Sequence, residues 1–251
     1  MEKFGGQERN QGPIMSEAML RLSILSGGAA AGVVNGLQQL FESSSSCRVD
    51  ATFSAVGAMR EELLSGKPCD LIILTKAMID GLIASGHVVK GSNRSLGIVR
   101  TGVAIKSGHK PPEIVTRDNL FNALQSAQGI YFPDPDKATA GIHVFSVLKQ
   151  LGLDKEKSAA LRIYPNGAIA MAEMAKCQEE NLIGSTQVTE INITPGVELI
   201  GMLPKEFELA TDYCLGICTN AKEPGLAKIF ADMLTGPDAA NLRQKIGFEV
   251  A

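Results

Sequence analysis

The residues of this chain best suited to chemistry are Ser, Gly, Thr and Asn gathered at four turns, each following an apolar run and leading into a helix-forming segment. The turns are Ser26-Gly27-Gly28-Ala29, Ser54-Ala55-Val56-Gly57, the stretch 134–141, and Asn166-Gly167-Ala168. A turn of this kind leaves the first N–H groups of the next helix without intrahelical partners. Those groups and the positive end of the helix dipole bind anions, and in open α/β sheets they collect at the carboxyl edge of the strands. The chemistry predicted is recognition of a small anionic ligand.

Ser26 and Ser54 follow their strands at points where a hydroxyl either caps the next helix or donates to a ligand oxygen. Gly27, Gly28 and Gly57 allow close approach to the backbone, although tight turning alone accounts for any one of them, and Val56 stands beside Gly57 in the second turn. Thr139, Ala140 and Gly141 open a helix and offer N–H groups and one hydroxyl. Ala168 does the same after Asn166-Gly167, with Tyr164 flanking that turn, and Thr186 and Gln187 complete the shell or cap a short helix. Two residues are candidates for catalysis. Arg100, on a long strand, has a guanidinium that can grip a carboxylate with two parallel hydrogen bonds, or it is a solvated strand-edge residue. His143, near the start of the 140–151 helix, is placed to act as a base or donor, or it is simply packed. Lys137 reads as solvated, and His87 and His109 as surface loop residues.

Bringing distant turns together requires a frame. The pattern predicts strand 20–25, helix 29–41, strand 47–53, helix 57–64, strand 70–74 and helix 76–84. Three βα units in succession imply a parallel sheet with right-handed crossovers, and the uniformly apolar Leu71-Ile72-Ile73-Leu74 reads as its central strand. A long strand at 96–105 leaves this unit. A second α/β set follows, with helices near 117–126, 140–151 and 168–176 and strands at 129–132, 161–164 and 181–183. The segment 213–219 mirrors the long strand and leads back to helices at 225–234 and 238–246. The expected architecture is a two-lobed α/β fold, each lobe a mostly parallel sheet flanked by helices, joined by two crossing hinge strands that let the lobes close on a ligand. Lobe 1 is expected over 18–101 with 216–251 and lobe 2 over 102–215, behind a disordered polar tail at 1–17.

Composition narrows the partners. The 251 residues are 45% hydrophobic with a net charge of −3, which provides no basic field for nucleic acid or an acidic membrane surface. No stretch approaches the roughly 18 apolar residues of a membrane span, so no membrane insertion is expected. The N-terminal residues carry no apolar core after a basic start, which suggests a cytoplasmic protein. The cysteines Cys47, Cys69, Cys177, Cys214 and Cys218 form no C-x-x-C pair, so they read as buried thiols rather than a disulfide framework or a metal site. A dinucleotide cofactor is not expected, because Gly27-Gly28 lacks the G-x-G-x-x-G register and the second strand ends in Phe53-Ser54 without an acidic residue. No other cofactor is indicated.

Taken together, the residues Leu22-Ser23-Ile24-Leu25-Ser26-Gly27-Gly28-Ala29, Ser54-Ala55-Val56-Gly57-Ala58-Met59, Cys69-Asp70-Leu71-Ile72-Ile73-Leu74-Thr75 and Ile183-Gly184-Ser185-Thr186-Gln187 carry a family resemblance. With the 134–141 turn and the closing Leu234-Thr235-Gly236-Pro237 and Gly247-Phe248, they resemble the type II periplasmic-binding-protein fold, close to the molybdate-binding receptors of ABC importers. By that resemblance, oxyanion contacts fall on Ser26, Ser54, Ala140, Ala168 and Gln187. Gln187 departs from the pattern, since those receptors commonly carry Tyr there. The Ser-Val-Gly-Ala-Met-like second turn, Thr186-Gln187 and Arg100 resemble instead a branch that includes aconitate isomerases, which handle di- and tricarboxylates.

Two functions follow as expectations. The first is a cofactor-independent isomerase that holds a carboxylate by Arg100 and turn amides and moves an allylic proton through His143. The alternative is a receptor without chemistry, serving an ABC permease if exported. A ligand sensor would normally carry a DNA-binding helix-turn-helix, for which the N-terminal tail leaves no room.

Overall fold

The apolar run Leu71-Ile72-Ile73-Leu74 lies within β3 with all four residues at 0% exposure, as expected of a strand covered on both faces. The computed structural model describes residues 19–249, so the tail expected at 1–17 lies outside the described residues. The chain runs β1 (Leu20–Gly27), α1 (Ala31–Ser45), β2 (Cys47–Ser54), α2 (Val56–Leu64), β3 (Leu71–Thr75) and α3 (Lys76–Ala84). β1 pairs in parallel with β2 on one side and β3 on the other, which gives the parallel core of the first lobe.

β4 (Arg94–Lys106) then leaves for the second lobe, built from α4 (Arg117–Ser126), β5 (Gly129–Pro133), α5 (Thr139–Gln150), the short α6 (Leu153–Glu156), β6 (Leu161–Tyr164) and α7 (Gly167–Lys176). It continues through β7 (Leu182–Gln187), α8 (Val188–Asn192) and β8 (Val197–Met202) before β9 (Ala210–Ile217) returns the chain to α9 (Pro224–Thr235) and α10 (Ala240–Ile246). The strand order is β2-β1-β3-β9-β4-β7-β5-β6, with β8 paired to β4. Residues 94–100 of β4 pair antiparallel with β9, whereas residues 101–106 pair antiparallel with β7 and β8. β4 and β9 are therefore the strands that tie the lobes together.

Each lobe has its own core. Leu22, Ile24, Ile72, Phe41 and Phe230 belong to the first, where the Phe41 and Phe230 rings sit 4.6 Å apart and fix α9 against α1. In the second lobe β5 alternates, sending Ile130 and Phe132 to the side of α5 and Tyr131 to the side of Met171 and Met174 on α7.

Among the differences from the sequence reading, two concern the second lobe. β7 runs on to Gln187, four residues beyond the expected end, because its polar residues are accommodated inside: Ser185, Thr186 and Gln187 are all buried, and Ser185 Oγ donates to Gly102 O at 2.9 Å. β8 was not expected at all. It is an edge strand paired with β4 alone and mostly half-buried, so it lacks both the apolar run of a covered strand and a clean alternation.

Candidate functional site

The carboxyl ends of β1, β2, β5, β6 and β7 point into the gap between the lobes, and the turns after them enclose a cavity of about 20 Å³. That is room for about one water-sized group, so a larger guest requires the lobes to part. Three helical starts border the cavity without a side-chain cap: the turn Gly28–Ala30 after Gly27, α2 after Ala55, and α5 after Ala138. A missing cap is not peculiar to these starts, since α3 and α9 also lack one, whereas α4 carries a full capping box between Thr116 and Asn119. Of the N–H groups at the three starts bordering the cavity, Gly57 N is already taken by Lys137 O, and the others keep their capacity to donate to a guest.

The fourth helical start already has an occupant. Glu190, on α8 and 4% exposed, sends its carboxylate to the beginning of α7. Oε1 accepts from Gly167 N at 3.2 Å and Oε2 from Thr186 Oγ1 at 2.6 Å, and the backbone of Ala168 and Gln187 lies close by. Burial pushes the Glu190 pKa above its ordinary value, against the lowering effect of these hydrogen bonds. Two glycines leave the carboxylate its space: a β-carbon would come 2.2 Å from Oε1 at Gly28, and 2.2 Å from Oε2 at Gly167.

Gln187 and Tyr213 complete the polar lining. Gln187 is 2% exposed, and neither end of its amide reaches a partner in hydrogen-bond geometry, although the Tyr213 hydroxyl is its neighbour. A buried amide left unpaired is costly, and a guest that reaches it recovers that cost. Tyr213, 3% exposed, has its pKa raised first by burial and then by the Glu190 charge, so its hydroxyl is a fixed donor.

Of the expected site residues, Gly28, Ser54, Val56, Thr139, Ala140 and Gln187 line the cavity. Others stand next to it in different roles. Ser26 is fully buried and its hydroxyl donates to Gly27 O at 2.9 Å, while Gly27 packs against Val56 and Tyr213. Thr186 Oγ1 donates to Glu190, and Ala168 stands beside the same carboxylate. Gly141 is a packing residue, since a β-carbon there would lie 2.1 Å from Asp134 O. The expected catalytic pair is not in the cavity. Arg100 does not line the cavity and is ion-paired instead with Glu208 and with Glu249, whose contact is 2.5 Å. His143 Nε2 lies 2.7 Å from Phe207 O, on the side of α5 turned toward that segment. Glu190 and Tyr213 were missed. The signal for Glu190 was a lone acid three residues beyond Gln187 in an otherwise apolar and Thr-rich stretch.

The lobes also touch directly at the rim. Gly57 N donates to Lys137 O at 3.0 Å, and Lys137 Nζ meets Glu61 Oε2 at 2.7 Å. Lys137, expected to be solvated, is exposed yet bridges the two halves from both its backbone and its ammonium. Burial excludes Cys47, Cys69, Cys214 and Cys218 from the solvent, Cys177 is half-buried, and all five are free thiols.

Comparison with known proteins adds to this geometry. The family described as bacterial extracellular solute-binding protein matches residues 22–249, nearly the whole of the described chain. The chain belongs to this family. This solute-binding protein is 24% identical over 242 residues to an aconitate isomerase from a Pseudomonas species, covering 94% of this chain and 90% of that protein. It is 22% identical over 229 residues to the molybdate-binding protein ModA of Escherichia coli strain K12, covering 88% and 87%. Its fold superposes on the periplasmic molybdate-binding protein of Azotobacter vinelandii with a TM-score of 0.75 at 17% identity, over 92% of this chain and 99% of that one. The two-lobed type II periplasmic-binding-protein fold is thereby shown. Among the described residues no helix is long and apolar enough to cross a membrane.

Proposed function

We propose that this solute-binding protein captures a small oxyanion, a carboxylate above all, between its lobes and holds it with neutral donors. The observation that carries the reading is Gln187: a buried, unpartnered amide facing a cavity on which three uncapped helical starts converge. Among the described residues that line this cavity there is no Lys, Arg or His, so the ligand's charge is met by N–H dipoles and hydroxyls, as helix starts can do. In this role the protein would hand its ligand to an ABC permease from the outer side of the membrane. The test is a thermal-shift and calorimetric screen against carboxylates, phosphate, sulfate, molybdate and tungstate. Stabilisation by at least one of them is expected, and a flat response to the whole panel refutes the reading.

A second reading adds turnover. It is favoured by Glu190, whose buried carboxyl with a raised pKa is the kind of group that takes a proton from one carbon and returns it to another. The 24% identity to an aconitate isomerase points the same way. Here the proton would move through Glu190, not His143, and an enolate-like charge would rest on the helix-start amides and the Tyr213 hydroxyl. A six-carbon acid exceeds the closed cavity, so this reading requires the lobes to open around it. Incubation with cis- and trans-aconitate, followed by proton NMR, decides it: interconversion that Glu190→Gln abolishes is expected, and none in the wild type removes the enzyme from consideration.

A further inference from the structure

Glu190 sets a carboxylate inside a cavity whose remaining groups suit an anion. It accepts from Gly167 N and Thr186 Oγ1 on one side and faces Gly28 of the other lobe on the other. A second ligand oxygen carrying full negative charge, brought against it away from water, is repelled strongly. Two oxygens form a favourable contact there only with a hydrogen between them.

We propose that Glu190 and the bound anion share one proton, so that the cavity selects oxyanions bearing their own hydroxyl, such as hydrogenphosphate or a 2-hydroxy carboxylate, over fully ionised ones such as sulfate. This rests on the anion-site reading above and names the substrate class within it. A fully ionised guest binds only by drawing a proton from solvent onto Glu190, whereas a guest with a hydroxyl donates to Glu190 directly. The surroundings of Glu190 agree. Of the groups packed on it from α7, β7, the Gly28 turn and β9, the titratable one is the Tyr213 hydroxyl, held far above its usual value by burial. The buried Arg243 of α10, a helix that packs on α8, turns its guanidinium to Leu234 O and Gly236 O and offers Glu190 no counter-charge.

Sulfate and hydrogenphosphate are the direct probe, since they match in shape and differ by a proton. In calorimetric titrations of the full chain near about pH 7.5, hydrogenphosphate is expected to bind at least about tenfold more tightly than sulfate. Sulfate affinity should rise as the pH is lowered toward about 5, with a binding heat that depends on the buffer's ionisation enthalpy and reports uptake of about one proton. Sulfate stays fully ionised throughout that range, so the dependence belongs to the protein. In Glu190→Gln, sulfate should gain about tenfold and lose its pH dependence. Equal affinity for the two ions in the wild type, or an unchanged ratio in Glu190→Gln, overturns the inference. The wild-type buffer series decides alone if the variant does not fold. If neither ion binds while a carboxylate that lacks a hydroxyl does, the selectivity rule falls and the anion site stands; if no anion binds, both fall.

Discussion

Glu190 and Gly28, from opposite lobes, share one space: a β-carbon on Gly28 would lie 2.2 Å from Glu190 Oε1 and 3.3 Å from its Cδ. Gly28 has an ordinary backbone conformation, so it is the missing side chain and not an unusual φ that matters at this position. The contact couples the lobes through a carboxylate that also caps α7, and it ties the closed arrangement to the state of one acid.

Gly28→Ala must therefore push Glu190 out of its cradle. Overpacking of this kind costs about 1–3 kcal/mol, which urea unfolding would register. In a Glu190→Ala background the same substitution should cost much less, since the clash is gone. An equal cost in both backgrounds means that the two residues do not compete for space.

The pH dependence of stability carries the sign of Glu190. Its pKa in the folded protein is raised above the ordinary 4.5, so the native state holds its proton where the unfolded chain has lost it. Stability from this group then falls as the pH rises from the ordinary value through the raised one, and is level beyond. The urea midpoint of the wild type is expected to drop over that window relative to Glu190→Gln. A wild type that instead gains on the variant as the pH rises has Glu190 ionised more easily than in water.

Much of the frame was legible in the sequence because its signals are local. Leu71 to Leu74 read as a covered strand, and the turns at Gly28, Ser54 and Thr139 were readable from small and hydroxyl residues placed between apolar runs. What was not legible depended on which face a side chain takes after long-range pairing. Arg100 and Thr101 are neighbours in β4, yet Arg100 turns out to Glu249 while Thr101 is buried opposite Gln187. His143 had the right distance from a helix start and the wrong angle around it. Glu190 was overlooked because an acid in a short helix is usually solvated, and only the convergence of α7, β7 and the other lobe's Gly28 buries it.

Gly57 stands at the rim, where a β-carbon would come 2.9 Å from Lys137 O. A larger side chain should act as a wedge that keeps the lobes from meeting. Gly57→Val is expected to weaken anion binding at least about tenfold, since closure is what desolvates the ligand's contacts. Small-angle scattering should show a larger radius of gyration for the variant than for the wild type at saturating anion. Identical radii would mean that the rim contact does not govern closure.

Arg100 and His143 lie outside the cavity, and their variants serve as controls. Arg100→Ala should leave anion affinity within about twofold of the wild type, because the guanidinium is engaged by Glu208 and Glu249. His143→Ala strands the Phe207 carbonyl and should cost about 0.5–1.5 kcal/mol of stability with affinity unchanged. A large loss of affinity in either variant would contradict the placement of the site.

The central claim, that the interlobe cavity is an anion site completed by its guest, is tested most directly by calorimetric titration of Gln187→Leu against the wild type with the anion that binds best. Loss of one hydrogen bond to a charged ligand, about 1.5–3 kcal/mol, predicts affinity weaker by roughly 10- to 100-fold. The empty variant should be no less stable than the wild type, because an unpaired buried amide has been replaced by a hydrocarbon. Undiminished affinity in Gln187→Leu would contradict the account and place the ligand elsewhere.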